Sequence, residues 1–283
     1  MTDQVPLAVV AAVLAAAVLH ATWNAIAHGS ADRLVGFVHI GIAATVCGGV
    51  LVAISGLPPA DGWRFVATSA LVHVVYQLLL LRSYQLGEFS QVYPLARGTS
   101  PWVVALVSIV VLGQRLPWVE LVGVLVVSVG LLSLVFLGGA PARADTPALT
   151  TAFATGLAIA SYTVVDGVGV HHVPLVTYFG WLFLLQGPAV PLVALAVRGR
   201  SLRAQLRPGA LVGLTGGVVS LLAYGLVLWA QTRGALAPIA ALRETSIVIG
   251  AVIGAVLFGE RVGYRRAVAA AVVVVGIVLV TLP

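Results

Sequence analysis

Arg97-Gly98-Thr99-Ser100 and Arg243-Glu244-Thr245-Ser246 are the two stretches whose likeness decides the fold. Arg, Thr and Ser return in one order at one offset. Moving outward at the same offset, Gly113-Gln114-Arg115 falls opposite Gly259-Glu260-Arg261. A slip of one residue sets Gly87 opposite Gly234, and a slip of two sets Tyr76 opposite Tyr224. Near the starts of the halves, Thr22-Trp23 falls opposite Ser161-Tyr162. Matches in one order at near-constant spacing are the mark of an internal duplication. The stretch Ala140-Pro141-Ala142-Arg143-Ala144-Asp145-Thr146-Pro147 separates the halves; it is polar, flanked by proline and poor in helix formers, and it reads as a linker.

Each half is overwhelmingly apolar. Of the 283 residues, 60% are hydrophobic and only 8% are charged, where a soluble domain carries roughly a quarter charged residues. Such a chain cannot hide its apolar surface from water, so most of it faces lipid or other buried helices. Apolar runs broken by Gly, Pro and charge give ten spans, at 5–27, 34–55, 65–84, 90–112, 118–138, 150–169, 174–197, 209–231, 236–258 and 264–282. The first run lacks a basic leader and carries Thr22-Trp23-Asn24 near its end, so it reads as a retained helix rather than a signal peptide. Five spans per half is an odd number, which inserts the second half upside down relative to the first. Inverted repeats are a recurrent transporter plan, with one site at the repeat interface that faces either side in turn. The expected fold is therefore an all-α polytopic membrane protein of ten transmembrane helices in two inverted five-helix repeats.

Ala21-Thr22-Trp23-Asn24, Tyr93-Pro94-Leu95-Ala96-Arg97-Gly98, Gly113-Gln114-Arg115-Leu116 and Gly259-Glu260-Arg261-Val262 make the chain resemble the EamA-type members of the drug/metabolite transporter superfamily, over essentially its whole length. The family pattern after the fourth and ninth helices is Gly-Glu-Arg-hydrophobic. The first copy departs from it with Gln114, which weakens any role for a carboxylate there. The resemblance implies residues 1–139 and 148–283 as two EamA-like repeats joined by linker 140–147, packed around a central cavity. It also implies secondary transport, often export of amino acids or related metabolites, across the cytoplasmic membrane.

An ionisable side chain at membrane depth costs about 3 kcal/mol or more unless it meets a cavity or a partner. Arg97 and Arg243 stand at matching repeat positions, where a duplication brings them to one chamber, and a guanidinium there can hold a substrate carboxylate in a bidentate fork. Pairing with a carboxylate of the same chain is the structural alternative. Glu244 is a candidate to load and release a coupling proton; the competing reading is an ion pair with Arg97 across the chamber. Trp23, Asn24, Tyr76, Gln77, Tyr93, Tyr162 and Tyr224 are candidates to line the site by stacking, cation–π contact and hydrogen bonding. Trp63, Trp118 and Trp181 read as interface anchors. His20 lies one turn before Asn24 and shares its face. Pro94 is placed to loosen the fourth helix, whereas Pro238 marks an ordinary helix start.

Other classes fare worse. All fifteen basic residues are Arg, spread through loops without a basic face, so nucleic acid is not expected as a partner. Cys47 is alone, so no disulfide or zinc set forms within the chain, and a His171-His172-Asp166 cluster lacks a further ligand. No cofactor is expected. There is no HExxH, GxSxG or P-loop to support the main alternative, a membrane-embedded enzyme acting on a lipid-linked or small amphiphilic substrate. The expected partners are a small-molecule substrate and the bilayer, with a coupling proton as a candidate, in a monomer or homodimer. The two guides to orientation disagree. The resemblance implies both termini in the cytoplasm, while the arginines at 198, 200, 203, 207, 261, 265 and 266 favour the opposite placement by the positive-inside rule.

Overall fold

A computed structural model describes residues 6–28, 32–136, 145–258 and 263–282. Gly259-Glu260-Arg261-Val262 and linker residues 140–144 lie outside these. The described residues form α-helices and short 3₁₀ turns, with no strand among them. The helices are α1 (Leu7–His28), α2 (Arg33–Ser55), α3 (Trp63–Leu86), α4 (Phe89–Val110), α5 (Trp118–Ser133), α6 (Thr146–Gly169), α7 (Leu175–Gln186), α8 (Ala189–Arg198), α9 (Leu202–Leu206), α10 (Ala210–Gln231), α11 (Leu236–Arg243), α12 (Thr245–Phe258) and α13 (Tyr264–Thr281). Among the described residues, eight segments are long and apolar enough to cross a membrane, and Ala267–Thr281 is a shorter apolar helix. Helix α4 is not among the eight; its 22 residues rise about 33 Å, long enough to span, but its first turns carry Gln91, Tyr93 and Arg97.

The expected seventh and ninth spans are each broken. The seventh divides into α7 and α8 at Gly187-Pro188, where the proline cannot continue the helical ladder. The ninth divides into α11 and α12 at Glu244. The sixth starts earlier than expected, at Thr146, because Pro147 falls in its first turn, where the missing N–H costs nothing.

The helix faces are reversed from those of a soluble protein. Outward positions are apolar, as at Val46, Val50 and Ile54 on α2 or Val122, Leu125 and Val129 on α5. Buried polar and charged groups include Arg97, Asp166, Arg243 and Glu244. Such a molecule is stable only with lipid around it. Helix contacts come in matched pairs. Helix α1 packs on α10 as α3 packs on α6; α4 packs on α6 as α1 packs on α11 and α12. Helix α4 packs on α5 as α13 packs on α11 and α12, and α2 packs on α10 as α3 packs on α7. The remaining large contacts, α2 with α7 and α5 with α13, are their own counterparts. Glycine permits the closest of these. A Cβ on Gly276 of α13 would meet the Val127 backbone nitrogen of α5 at 2.7 Å.

Helix α2 begins at Asp32, whose Oδ1 accepts from the N–H groups of Leu34 (3.0 Å) and Val35 (3.3 Å). The same carboxylate takes a fork from Arg198 at the end of α8, Nη1 to Oδ2 at 2.6 Å and Nη2 to Oδ1 at 3.1 Å. That pairing joins the ends of α2 and α8 and holds the Asp32 carboxyl below its usual range.

Candidate functional site

The floor of the site is a buried charge cluster built from both halves. Arg97 of α4 is 5% exposed, Arg243 at the end of α11 is 4% exposed, and Glu244 in the break after α11 is fully buried. Arg97 Nε lies 2.8 Å from Glu244 Oε2, an ion pair by distance whose geometry is not that of an aligned hydrogen bond. Arg97 Nη2 donates to Ser246 Oγ at 3.1 Å. Arg243 Nε is farther from Glu244 Oε1, at 3.9 Å. Nε and Nη2 of Arg243 have no hydrogen-bond partner among the described residues.

Local sequence explains why charge is tolerated here. Pro101 lacks an N–H, so the Arg97 carbonyl loses the donor one turn on. In the other half, tight turns replace the helical ladder around Glu244: its N–H donates to the Ala241 carbonyl (3.0 Å), and Ile247 N–H donates to the Glu244 carbonyl (3.0 Å). Thr245 Oγ1 donates to the Leu242 carbonyl at 2.6 Å. Irregular backbone at membrane depth is tolerated where it is buried in protein or lines a cavity.

Above this floor is a cavity lined by side chains where α1 and α3 end and α2 and α4 begin. Helix α1 supplies His20, Trp23 and Asn24; α2 supplies Arg33 and Phe37; α3 supplies Tyr76, Leu80 and Tyr84. Helix α4 supplies Tyr93, Ala96 and Arg97, and α6 supplies Ile159. Trp23 Nε1 donates to His20 Nδ1 at 3.2 Å, and Asn24 Nδ2 donates to the His20 carbonyl at 2.7 Å. The Arg97 guanidinium stands 6.0 Å from the Tyr93 ring centre, and Arg33 stands 5.9 Å from that of Tyr84. Both contacts fall at the outer reach of cation–π attraction.

Of the residues expected at the site, Trp23, Asn24, Tyr76, Tyr93 and Arg97 line this cavity. Arg243 and Glu244 lie with Arg97 in the floor. The ion pair raised for Glu244 as an alternative to proton loading is present. Tyr162 does not line the cavity; it stacks on His73, with ring centres 4.0 Å apart, and meets Tyr76 edge-on at 5.4 Å. Tyr224 also lies apart, its hydroxyl donating to Asp166. Gln77 points away, its amide nitrogen donating to Gln186 Oε1 of α7 at 2.9 Å.

A second polar cluster, not anticipated from sequence, ties α6 to α3, α7 and α10, and none of its members lines the cavity. Asp166, near the end of α6, is fully buried. Its carboxylate accepts from Ser69 Oγ of α3, from Tyr178 of α7 at 2.7 Å and from Tyr224 of α10. His73 Nδ1 lies 3.2 Å from Ser69 Oγ. From cavity to cluster the rings run Tyr76, Tyr162, Tyr224 without a gap, the last pair 6.1 Å apart. His172 is occupied elsewhere, packed on the Phe65 ring at 4.6 Å. Among the described residues, no three His, Cys, Asp or Glu side chains are placed to hold a metal. Tyr84 was legible from Tyr76: with Leu80 they follow helical spacing on one face.

Residues 146–282 match the EamA-like transporter family. That match spans the second half of the chain. With the apolar helices described above, the match supports a multi-pass membrane protein and suggests a membrane transporter of the drug/metabolite type. No curated protein matches it. One solved crystal structure is similar over 96% of this chain and 96% of its own, with a TM-score of 0.77 at 17% identity. A likeness at that identity speaks for the fold alone.

Proposed function

We propose that the protein is a secondary carrier that exports small polar metabolites, amino acids or related compounds, across the cytoplasmic membrane by alternating access. Ten spans act as two inverted five-helix repeats, residues 1–139 and 148–283. The observation that carries this reading is the helix pairing. Exchange α1 with α6, α2 with α7 and α8, α3 with α10, α4 with α11 and α12, and α5 with α13, and the set of large contacts is unchanged. A bundle with that exchange symmetry has two related ways to pack around one site, and a carrier needs two.

The distribution of space and bonding supports the same mechanism. One half of the bundle holds the cavity down to Arg97. The other is tied shut by Asp166, which joins α6 to α3, α7 and α10. Substrate enters the cavity, meets the charge cluster, and leaves when the Asp166 contacts part and the cavity side closes. Trp23, Asn24, Tyr76 and Tyr93 hold the substrate body, and Arg97 with Arg243 holds its charge. Tyr162 and Tyr224 separate cavity from latch. Counterflow in proteoliposomes tests this. Vesicles loaded with an unlabelled metabolite, identified by comparing cells with and without the protein, are expected to accumulate its labelled form unaltered. Chemical conversion of that metabolite, or its equilibration without exchange, contradicts a carrier.

A further inference from the structure

The two halves are not equivalent at their shared charge cluster, and the difference bears on what the site takes. This inference rests on the carrier reading and narrows it. Arg97 and Arg243 are matched, as are Ser100 and Ser246, but Glu244 stands where the first half has Gly98. One carboxylate thus serves two buried guanidiniums, and it serves them unequally, at 2.8 Å and 3.9 Å. Arg97 has Glu244 and Ser246; Arg243 has Nε and Nη2, the two nitrogens of one guanidinium edge, without a hydrogen-bond partner among the described residues, and only Nε within 4 Å of Glu244. Those two nitrogens form one of the forks that match a planar carboxylate. Ser100 Oγ, the counterpart of the Ser246 hydroxyl, likewise has no partner among the described residues.

We infer that Glu244 is a built-in counter-ion filling half of a doubled anion site, so that the other half takes a substrate of one negative charge and no positive charge. The formal charge of the buried cluster Arg97, Arg243 and Glu244 is one positive; Arg33, at the cavity mouth, is exposed and screened by water. A single carboxylate brings the cluster to zero, a dianion overshoots, and a zwitterion leaves it positive. Among the described residues that line the cavity, the charged ones are Arg33 and Arg97, and the Glu244 carboxylate beneath them is engaged by Arg97. Its remaining walls, among them Trp23, Phe37, Tyr76 and Tyr93, suit an apolar or aromatic body. The substrate class is an amphipathic organic monocarboxylate, rather than the free amino acids that the family resemblance implies.

The test is thermal unfolding of the purified chain in detergent with four related compounds: 3-phenylpropionate, phenylalanine, 3-phenylpropylamine and phenylsuccinate, the last being 3-phenylpropionate with a second carboxylate on its phenyl-bearing carbon. The wild type is expected to be stabilised by 3-phenylpropionate at concentrations at least tenfold below those the other three require. Glu244→Gln removes the internal counter-ion and is expected to move the preference between phenylsuccinate and 3-phenylpropionate at least tenfold toward the dianion. Arg243→Ala is expected to abolish the response to 3-phenylpropionate, which keeps the inference testable if Glu244→Gln does not fold. Equal or tighter binding of phenylalanine or the amine overturns the inference, as does no response to any of the four, or an unchanged preference in folded Glu244→Gln. Counterflow of phenylalanine without binding of 3-phenylpropionate would overturn this inference and leave the carrier standing. Binding of 3-phenylpropionate without counterflow of any metabolite would do the reverse.

Discussion

Asp166→Asn is the perturbation that reaches furthest into the mechanism. The substitution keeps the shape of the side chain and removes its charge. Three hydroxyl donors, Ser69, Tyr178 and Tyr224, then meet a neutral amide in place of a carboxylate. A hydrogen bond to a charged group contributes about 1 kcal/mol more than a neutral one, so three such bonds lose about 3 kcal/mol. All of that loss falls on the packing in which α3, α6, α7 and α10 are tied together. If opening of this half of the bundle is a two-state event, its population rises roughly 100-fold, at about 1.4 kcal/mol per factor of ten. The assay is maleimide labelling in a Cys47→Ser background. Val66→Cys reports on the latch, because Val66 is fully buried one turn before Ser69. Ala152→Cys is the control, buried at the other end of α6. Asp166→Asn is expected to speed labelling at 66 by up to 100-fold and leave 152 within twofold. Equal acceleration at both sites would mean general unfolding. No acceleration at 66 refutes the latch.

Arg97→Ala and Arg243→Ala, made separately, are each expected to abolish counterflow while membrane insertion stays intact by fractionation; full activity in both variants would remove the arginines from the site. Gly276→Val is expected to destabilise the bundle by about 3 kcal/mol or more, read as a lowered melting midpoint in detergent, because the new Cβ meets Val127 backbone at 2.7 Å and backbone cannot give way as a side chain can. The Asp32–Arg198 pair gives a pH dependence. Asp32 has its carboxyl lowered by the Arg198 hydrogen bond, so the stability it contributes is present above the unfolded value near 4 and is lost as pH falls through the lower folded value. Asp32→Asn is expected to flatten that acid limb in a melting series from about pH 6 to 3 and, because the pair is part-exposed, to change the neutral midpoint little. An unchanged acid limb would show that the pair is not its source.

Particular residues show what the sequence could and could not carry. Helix positions were legible because lipid demands long apolar runs, and the approximate spans fall on α1 to α13. The breaks at Gly187-Pro188 and Glu244 were not, since an apolar run reads the same whether or not its hydrogen-bond ladder is continuous. The second break also hid the geometry of Glu244. In an unbroken helix it stands well around the axis from Arg243, and only the departure at 244 leaves one carboxylate within 4 Å of both guanidiniums. At the cavity, Tyr76 and Gln77 are neighbours on one helix and cannot face the same way; Tyr76 lines the cavity and Gln77 turns to Gln186. The Asp166 cluster had no local signal, because its four members come from four helices and meet only once these pack.

Inverted halves around one chamber are the claim from which the rest follows, and sidedness tests it most directly. Single cysteines at Leu7, Asp145 and Leu282, in a Cys47→Ser background, can be probed with an impermeant maleimide in intact and in lysed cells. The account predicts that positions 7 and 282 label alike and that position 145 labels from the opposite side. Labelling of all three from one face would mean an even number of crossings in each half, and would contradict it.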